Sequence, residues 1–140
     1  MKHLKWLILA ALAGVSLLLV SSCMKEFKPE SQEDFIGTEW VYKEEGWQST
    51  LVFLDTRVLL IGQGTGVNNL PNNSYQISGN YSYDGAGNVL TLSFNSVDKG
   101  NVLLKLPTVY EGYLSGRNKL VILNEAGESV LFKRQKASRQ

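Results

Sequence analysis

From Gly37 onward no segment of the chain offers three turns of helical periodicity, and this narrows the fold more than any other feature. Nine short segments rich in β-branched and aromatic residues follow one another: Thr38 to Glu44, Ser49 to Leu54, Arg57 to Ile61, Tyr75 to Tyr83, Val89 to Phe94, Val102 to Leu106, Val109 to Leu114, Lys119 to Leu123 and Ser129 to Lys133. Between them stand Asp55-Thr56, Asp84-Gly85-Ala86-Gly87-Asn88, Ser115-Gly116-Arg117-Asn118 and Asn124-Glu125-Ala126-Gly127, in which glycine and asparagine accept positive φ cheaply. Turns this short join antiparallel neighbours. About eight or nine such strands on one small chain would leave exposed edges if the sheet stayed open. The expected fold is therefore all-β: an antiparallel up-and-down β-barrel of about eight strands, with a β-sandwich as the alternative.

Alternation assigns faces. Trp40 and Tyr42 share one side of the first segment, Leu51 and Phe53 of the second, Tyr75, Ile77, Gly79, Tyr81 and Tyr83 of the fourth, and Leu90, Leu92 and Phe94 of the fifth. These sets are expected to face the core. Continuous apolar runs at Val58 to Ile61, Val102 to Leu104 and Leu120 to Leu123 mean that the opposite face is not purely polar. Two hairpins share a frame at a 30-residue offset, Tyr83, Asn88, Leu90 and Leu92 matching Tyr113, Asn118, Leu120 and Ile122, which fits recurring hairpin chemistry better than a duplicated domain. The long gap "GQGTGVNNLPNNS", Gly62 to Ser74, is glycine-rich, but asparagines and Pro71 follow where a phosphate cradle needs a lysine or a helix start. It is expected to be a loop over one end of the sheet.

The N-terminus has a different character. Lys2 and Lys5 precede an apolar stretch of 15 residues from Trp6 to Val20, followed by Ser21, Ser22 and the chain's only cysteine, Cys23. The apolar stretch is shorter than a spanning helix wants, and its layout is that of an export signal. Val20-Ser21-Ser22-Cys23 resembles the bacterial lipobox, which implies cleavage between Ser22 and Cys23 and acylation of the Cys23 sulfur. Residues 1–22 are then a lipoprotein signal peptide, 23–36 a polar tether broken by Pro29, 37–136 the barrel domain and 137–140 a basic tail. Met24 is not the aspartate of the inner-membrane retention rule, and Lys25-Glu26 resembles part of the signal that sends Bacteroidetes lipoproteins to the cell surface. The expected location is the outer membrane, lipid-anchored, facing either the periplasm or the exterior.

The 140 residues less the 22 of the leader leave 118, enough for one domain that needs no disulfide to hold together. The 14 basic residues less Lys2 and Lys5 leave 12 against 13 acidic ones, so nucleic acid is not an expected partner. His3, the single histidine, departs with the leader and Cys23 is consumed by lipid, which removes histidine-based triads, cysteine nucleophiles and zinc sites built from those residues. Asp55, Asp84 and Asp98 sit in or beside turns, where acids usually set backbone geometry, and no spaced run of acids suits calcium. Neither an enzyme nor a bound metal or cofactor is expected.

In layout, residues 35–135 resemble the lipocalin-like, calycin-type small barrels common among Bacteroidetes lipoproteins: "FIGTEWVY" opens the first strand, "YSYDGAGNVLTLSF" and "YEGYLSGRNKLVIL" form hairpins, and "VLFKRQ" closes the barrel. Lipocalins place a glycine, one intervening residue and then a tryptophan at the barrel floor, with an arginine over the indole. Here Thr38 and Glu39 both stand between Gly37 and Trp40, and the resemblance implies Arg134 as the arginine. The resemblance implies a monomeric binding protein, with Trp40, Tyr42, Phe53, Tyr81, Tyr83 and Tyr110 the candidates for a site that takes a small apolar or aromatic ligand. The same rings would serve equally well to fill a solid barrel. In that case the function is interaction with another envelope protein, as an accessory subunit of an uptake complex or as a hydrolase inhibitor; Ser78-Gly79-Asn80-Tyr81 loosely resembles a signature of small barrel lysozyme inhibitors.

Overall fold

A computed structural model of the chain describes residues 25–64, 74–102, 104–124 and 126–136. A short 3-10 helix, Gln32–Phe35, precedes eight strands: β1 (Glu39–Glu44), β2 (Trp47–Phe53), β3 (Arg57–Gly64), β4 (Ser74–Asp84), β5 (Val89–Lys99), β6 (Thr108–Leu114), β7 (Lys119–Leu123) and β8 (Ser129–Gln135). Each strand pairs antiparallel with the next, and β8 returns to β1 with Trp40 opposite Arg134 and Val41 opposite Lys133. The sheet is closed. Closure removes both edges and rules out the sandwich.

The inward rows are those that alternation marks. Trp40, Phe53, Val58, Ile77, Leu90, Phe94 and Leu120 have no exposed surface, and Leu51 and Leu92 have almost none. Among the described residues no buried side-chain nitrogen or oxygen lacks a hydrogen-bond partner. The buried rows form an apolar core, which is the dominant stabilising element of such a fold.

Two departures from regular pairing shape the barrel. Between β4 and β5 the register slips twice, at Gln76/Ile77 and at Ser78/Gly79, so β5 bulges as it passes β4. Gly79 sits at one slip, where a Cβ would collide with the Ser93 carbonyl oxygen. On the outer side Ser78 Oγ reaches Asp98 Oδ1 at 3.0 Å, and Arg57 lies 3.6 Å from the other Asp98 oxygen.

At the end where β1 begins, three hairpin turns meet. Asn88 and Asn118 both hold positive φ, at 52° and 60°. Asn88 uses its side chain as a piece of strand: Nδ2 donates to the Leu114 carbonyl at 2.8 Å, and Oδ1 accepts from the Leu114 N–H at 3.1 Å and from the Tyr83 hydroxyl at 3.0 Å. The shared frame of the two hairpins extends to these turns and to the inward pairs Leu90/Leu120 and Leu92/Ile122, but not to the tyrosines. Tyr83 faces the core, whereas Tyr113 is 43% exposed on the outside.

Three expectations are corrected. Val102 to Leu106 is no strand among its described residues; β5 runs on to Lys99, and Val102, Leu104 and Leu106 pack against the core without joining a ladder. Pro107 has no N–H for a ladder, and alternation there reports burial rather than pairing. From residue 25 the stretch expected to be a tether is part of the folded body. Phe35 is fully buried in the core cluster and Phe27 is half-buried against it. Finally, the Arg134 guanidinium does not cover Trp40: it lies 4.9 Å from the centroid of the Phe27 ring, which stands edge-on to Trp40 at 5.4 Å. The intended cation partner of the indole is thus displaced by one ring. Ser22 and Cys23 lie outside the described residues, as do positions 65–73 of the expected loop.

Candidate functional site

The two ends of the barrel differ. At the end where β1 starts, Phe35 lies inside the barrel rim and touches Phe27, Phe53, Tyr81 and Tyr83 at ring-centroid distances of 5.0, 5.0, 6.3 and 4.9 Å. Backbone and side-chain bonds lock this plug. Gly37 N–H donates to the Phe53 carbonyl at 2.8 Å, Thr38 Oγ1 donates to the Phe35 carbonyl at 2.7 Å, and Trp40 Nε1 donates to Thr38 Oγ1 at 3.0 Å. Tyr81 directs its hydroxyl to the Leu54 and Asp55 carbonyls at 2.8 and 3.1 Å. Burial raises the ionisation of Tyr81 and Tyr83 above the ordinary tyrosine value, with Asp55 and Asp84 adding to the respective shifts. This end is closed and spoken for.

The opposite end, reached by the far ends of β1, β3, β5 and β7, is hollow. A cavity of about 170 Å³ opens there, lined by Tyr42, Ser49, Leu51, Leu60, Leu92, Phe94, Tyr110, Ile122, Asn124, Val130 and Phe132. Its wall draws on every strand except β4. Two aromatic pairs stiffen it, Tyr42 with Phe132 at 5.9 Å and Phe94 with Tyr110 at 6.0 Å. Few polar groups reach it, and those are engaged: Ser49 Oγ accepts from Trp47 Nε1 at 3.1 Å, and Asn124 Oδ1 accepts from the Glu128 N–H at 2.8 Å. The Tyr42 hydroxyl donates to Glu44 at 3.2 Å, and the charge of that carboxylate holds the phenol's pKa above its usual value.

On the same inward rows, nearer the mouth, Trp47 stacks on Tyr75 with centroids 5.7 Å apart and planes 28° from parallel. Gly62 makes room for the stack, since a Cβ there would come within 2.5 Å of both rings. Burial raises the Tyr75 pKa. Trp47 escaped sequence reasoning because it follows Glu44-Glu45-Gly46, yet its parity with Leu51 and Phe53 was the available signal.

The six candidate aromatics therefore separate. Trp40, Phe53, Tyr81 and Tyr83 belong to the plugged end, while Tyr42 and Tyr110 line the cavity. The cavity's apolar members Leu60, Leu92, Phe94, Ile122, Val130 and Phe132 were not singled out beforehand as ligand contacts; inward parity alone does not tell a filling side chain from a lining one. Among the described residues no three histidine, cysteine or acidic side chains converge as metal ligands would. Comparison of the chain with protein-family models, curated proteins and solved structures returns no match.

Proposed function

We propose that the chain is a lipid-anchored envelope lipoprotein whose lipocalin-like barrel acts by binding, without catalysis, a small neutral ligand that is apolar or aromatic. The observation that carries this reading is the aromatic-walled cavity at one end of a barrel whose other end is plugged. Its size bounds the ligand. An apolar cavity of about 150 Å³ holds benzene, whereas drug-sized ligands occupy roughly 300–1,000 Å³. A cavity of about 170 Å³ thus suits one ring, or the terminal ring or branched end of a longer molecule that leaves by the mouth. The low polarity of the wall disfavours charged ligands, whose desolvation nothing inside would offset.

Calorimetric titration of the processed protein with benzene, phenol and indole tests the reading. Val130→Phe, which adds a ring at the cavity wall, is expected to weaken binding at least tenfold while the circular dichroism stays strand-dominated. Absence of binding by every probe, or binding indifferent to that filling, would remove the ligand reading. Anchoring is tested separately by detergent partition, in which Cys23→Ser is expected to move the protein out of the membrane fraction.

A second reading, an envelope interaction module, draws on a different surface. The exposed Tyr113 and Leu131 flank the buried Val121 in register across β6, β7 and β8 on the outer face, where Val109 and Leu123 are also exposed. Val109 is 59% exposed, and such a row exceeds what an isolated surface apolar residue requires. If this face serves the function, Tyr113→Ser together with Leu131→Ser abolishes partner capture without affecting probe binding.

A further inference from the structure

The segment that follows the acylation position is held to the barrel rather than free. Arg134 Nη1 donates to the Lys25 carbonyl at 3.3 Å, the Arg117 N–H donates to Glu26 Oε1 at 3.0 Å, and the Phe27 N–H donates to Asn118 Oδ1 at 2.7 Å. The Phe27 ring is sandwiched between the Arg134 guanidinium and the edges of Phe35 and Trp40. All of these contacts lie at the plugged end, around the turn at 115–118. Lys25 is thus held at the plugged end, and Cys23 is only two residues upstream in the sequence.

Two residues reach about 7 Å when fully extended. A free tether of 14 residues, 23–36, would instead wander over about 20 Å and leave the barrel unoriented. The geometry points to the plugged end, around Asn118, Arg117 and Arg134, as a surface laid against the lipid bilayer, with the cavity mouth turned toward the aqueous side. This rests on acylation of Cys23, as proposed above. Its consequence for function is direct: ligand enters from water or from a partner facing the mouth, and not from the membrane that carries the protein. Arg117, Lys119, Lys133 and Arg134 at this end are matched by Glu26, Asp34, Asp55 and Asp84, so the short reach from Cys23 rather than net charge carries the orientation.

The experiment uses the full lipidated chain in vesicles of phosphatidylethanolamine and phosphatidylglycerol. Because acylation consumes the native thiol, Ala86→Cys at the plugged end and Ala126→Cys at the mouth each carry one site for a donor fluorophore; both positions are exposed. The seven residues of β8 span about 23 Å at ~3.3 Å per residue, or about 18 Å of height at a tilt of about 40°. Energy transfer to an acceptor in the lipid head groups is expected to be at least twofold more efficient from position 86 than from 126. Equal or reversed transfer from acylated protein would overturn the orientation alone. A mass spectrum showing Cys23 without acyl groups would overturn the lipoprotein reading and this inference with it. A spacer of about ten Gly/Ser residues inserted after Met24 is expected to equalise the two positions, since such a chain wanders over about 18 Å. A difference that survives the spacer would overturn the role assigned to the docked segment.

Discussion

Phe35 lies outside the sheet, in a stretch whose composition is that of a linker, and yet its replacement by alanine is expected to rank with the worst core substitutions. Its side chain has no exposed surface and meets four other aromatic rings, with centroids between 4.9 and 6.3 Å away. Removing a buried phenylalanine costs about 3–5 kcal/mol, the cavity left behind included. Edge-on ring pairs add about 0.5–1.5 kcal/mol each beyond burial, so the upper half of that range is the better figure here. A domain of this size has roughly 5–15 kcal/mol in total. With a urea slope of about 2 kcal/mol per molar, a loss of about 4 kcal/mol lowers the midpoint by about 2 M. Equilibrium urea melts of the processed protein, followed by tryptophan emission and far-ultraviolet circular dichroism, measure it. Phe27→Ala, a half-buried ring, is the graded control and is expected to shift the midpoint by less than half as much. If Phe35→Ala melts like wild type, the segment merely rests on the barrel, and the reasoning about a plugged end fails.

Three further outcomes follow from the same packing. Trp40→Ala is expected to cost about 3–5 kcal/mol in urea melts, and Arg134→Ala only about 0.5–2 kcal/mol, the worth of a cation over a ring; comparable losses would contradict the arrangement of Arg134 on Phe27. Gly79→Ala, which forces a methyl against the Ser93 carbonyl, is expected to destabilise by about 1–3 kcal/mol or more, read as a fall in thermal midpoint. Tyr75, Tyr81 and Tyr83 all have raised pKa values in the folded chain. Their neutral form stabilises the fold fully below the unfolded tyrosine value of about 10, and that contribution is lost as pH rises through the higher folded values. An absorbance titration of the phenolates should therefore show a fraction that ionises late, together with loss of the strand signal; a single uniform step near pH 10 with the fold intact would contradict it.

How much of this was legible beforehand depends on what alternation can carry. Tyr81 in β4 and Leu90, Leu92 and Phe94 in β5 were assigned inward correctly because one face of a pleated strand repeats every second residue. Glycine and asparagine marked the turns, and the expectation of closure followed from the cost of open edges. Phe27 and Phe35 were missed because isolated apolar residues in a polar stretch have no period; their partners, Trp40, Phe53 and Tyr83, come from distant strands. Val102 to Leu106 misled in the opposite way, since burial against the core produced a strand-like pattern without a ladder. Alternation marks β5 only as far as Phe94, because the bulges against β4 break its period between Asn95 and Lys99. In the candidate site Tyr42 and Tyr110 were legible as inward-facing aromatics, but hollowness was not. It depends on how far the opposing side chains reach, which no single strand records.

The central claim, that the hollow end is a binding site, is tested most directly by methyl-resolved NMR of the labelled domain during titration with indole. Saturable shifts are expected at the cavity methyls of Leu60, Leu92, Ile122 and Val130, with those of Val58 and Leu90 in the plugged half unmoved. Shifts confined to the outer-face methyls of Val109 and Leu131, or no saturable shift at any position, would contradict it.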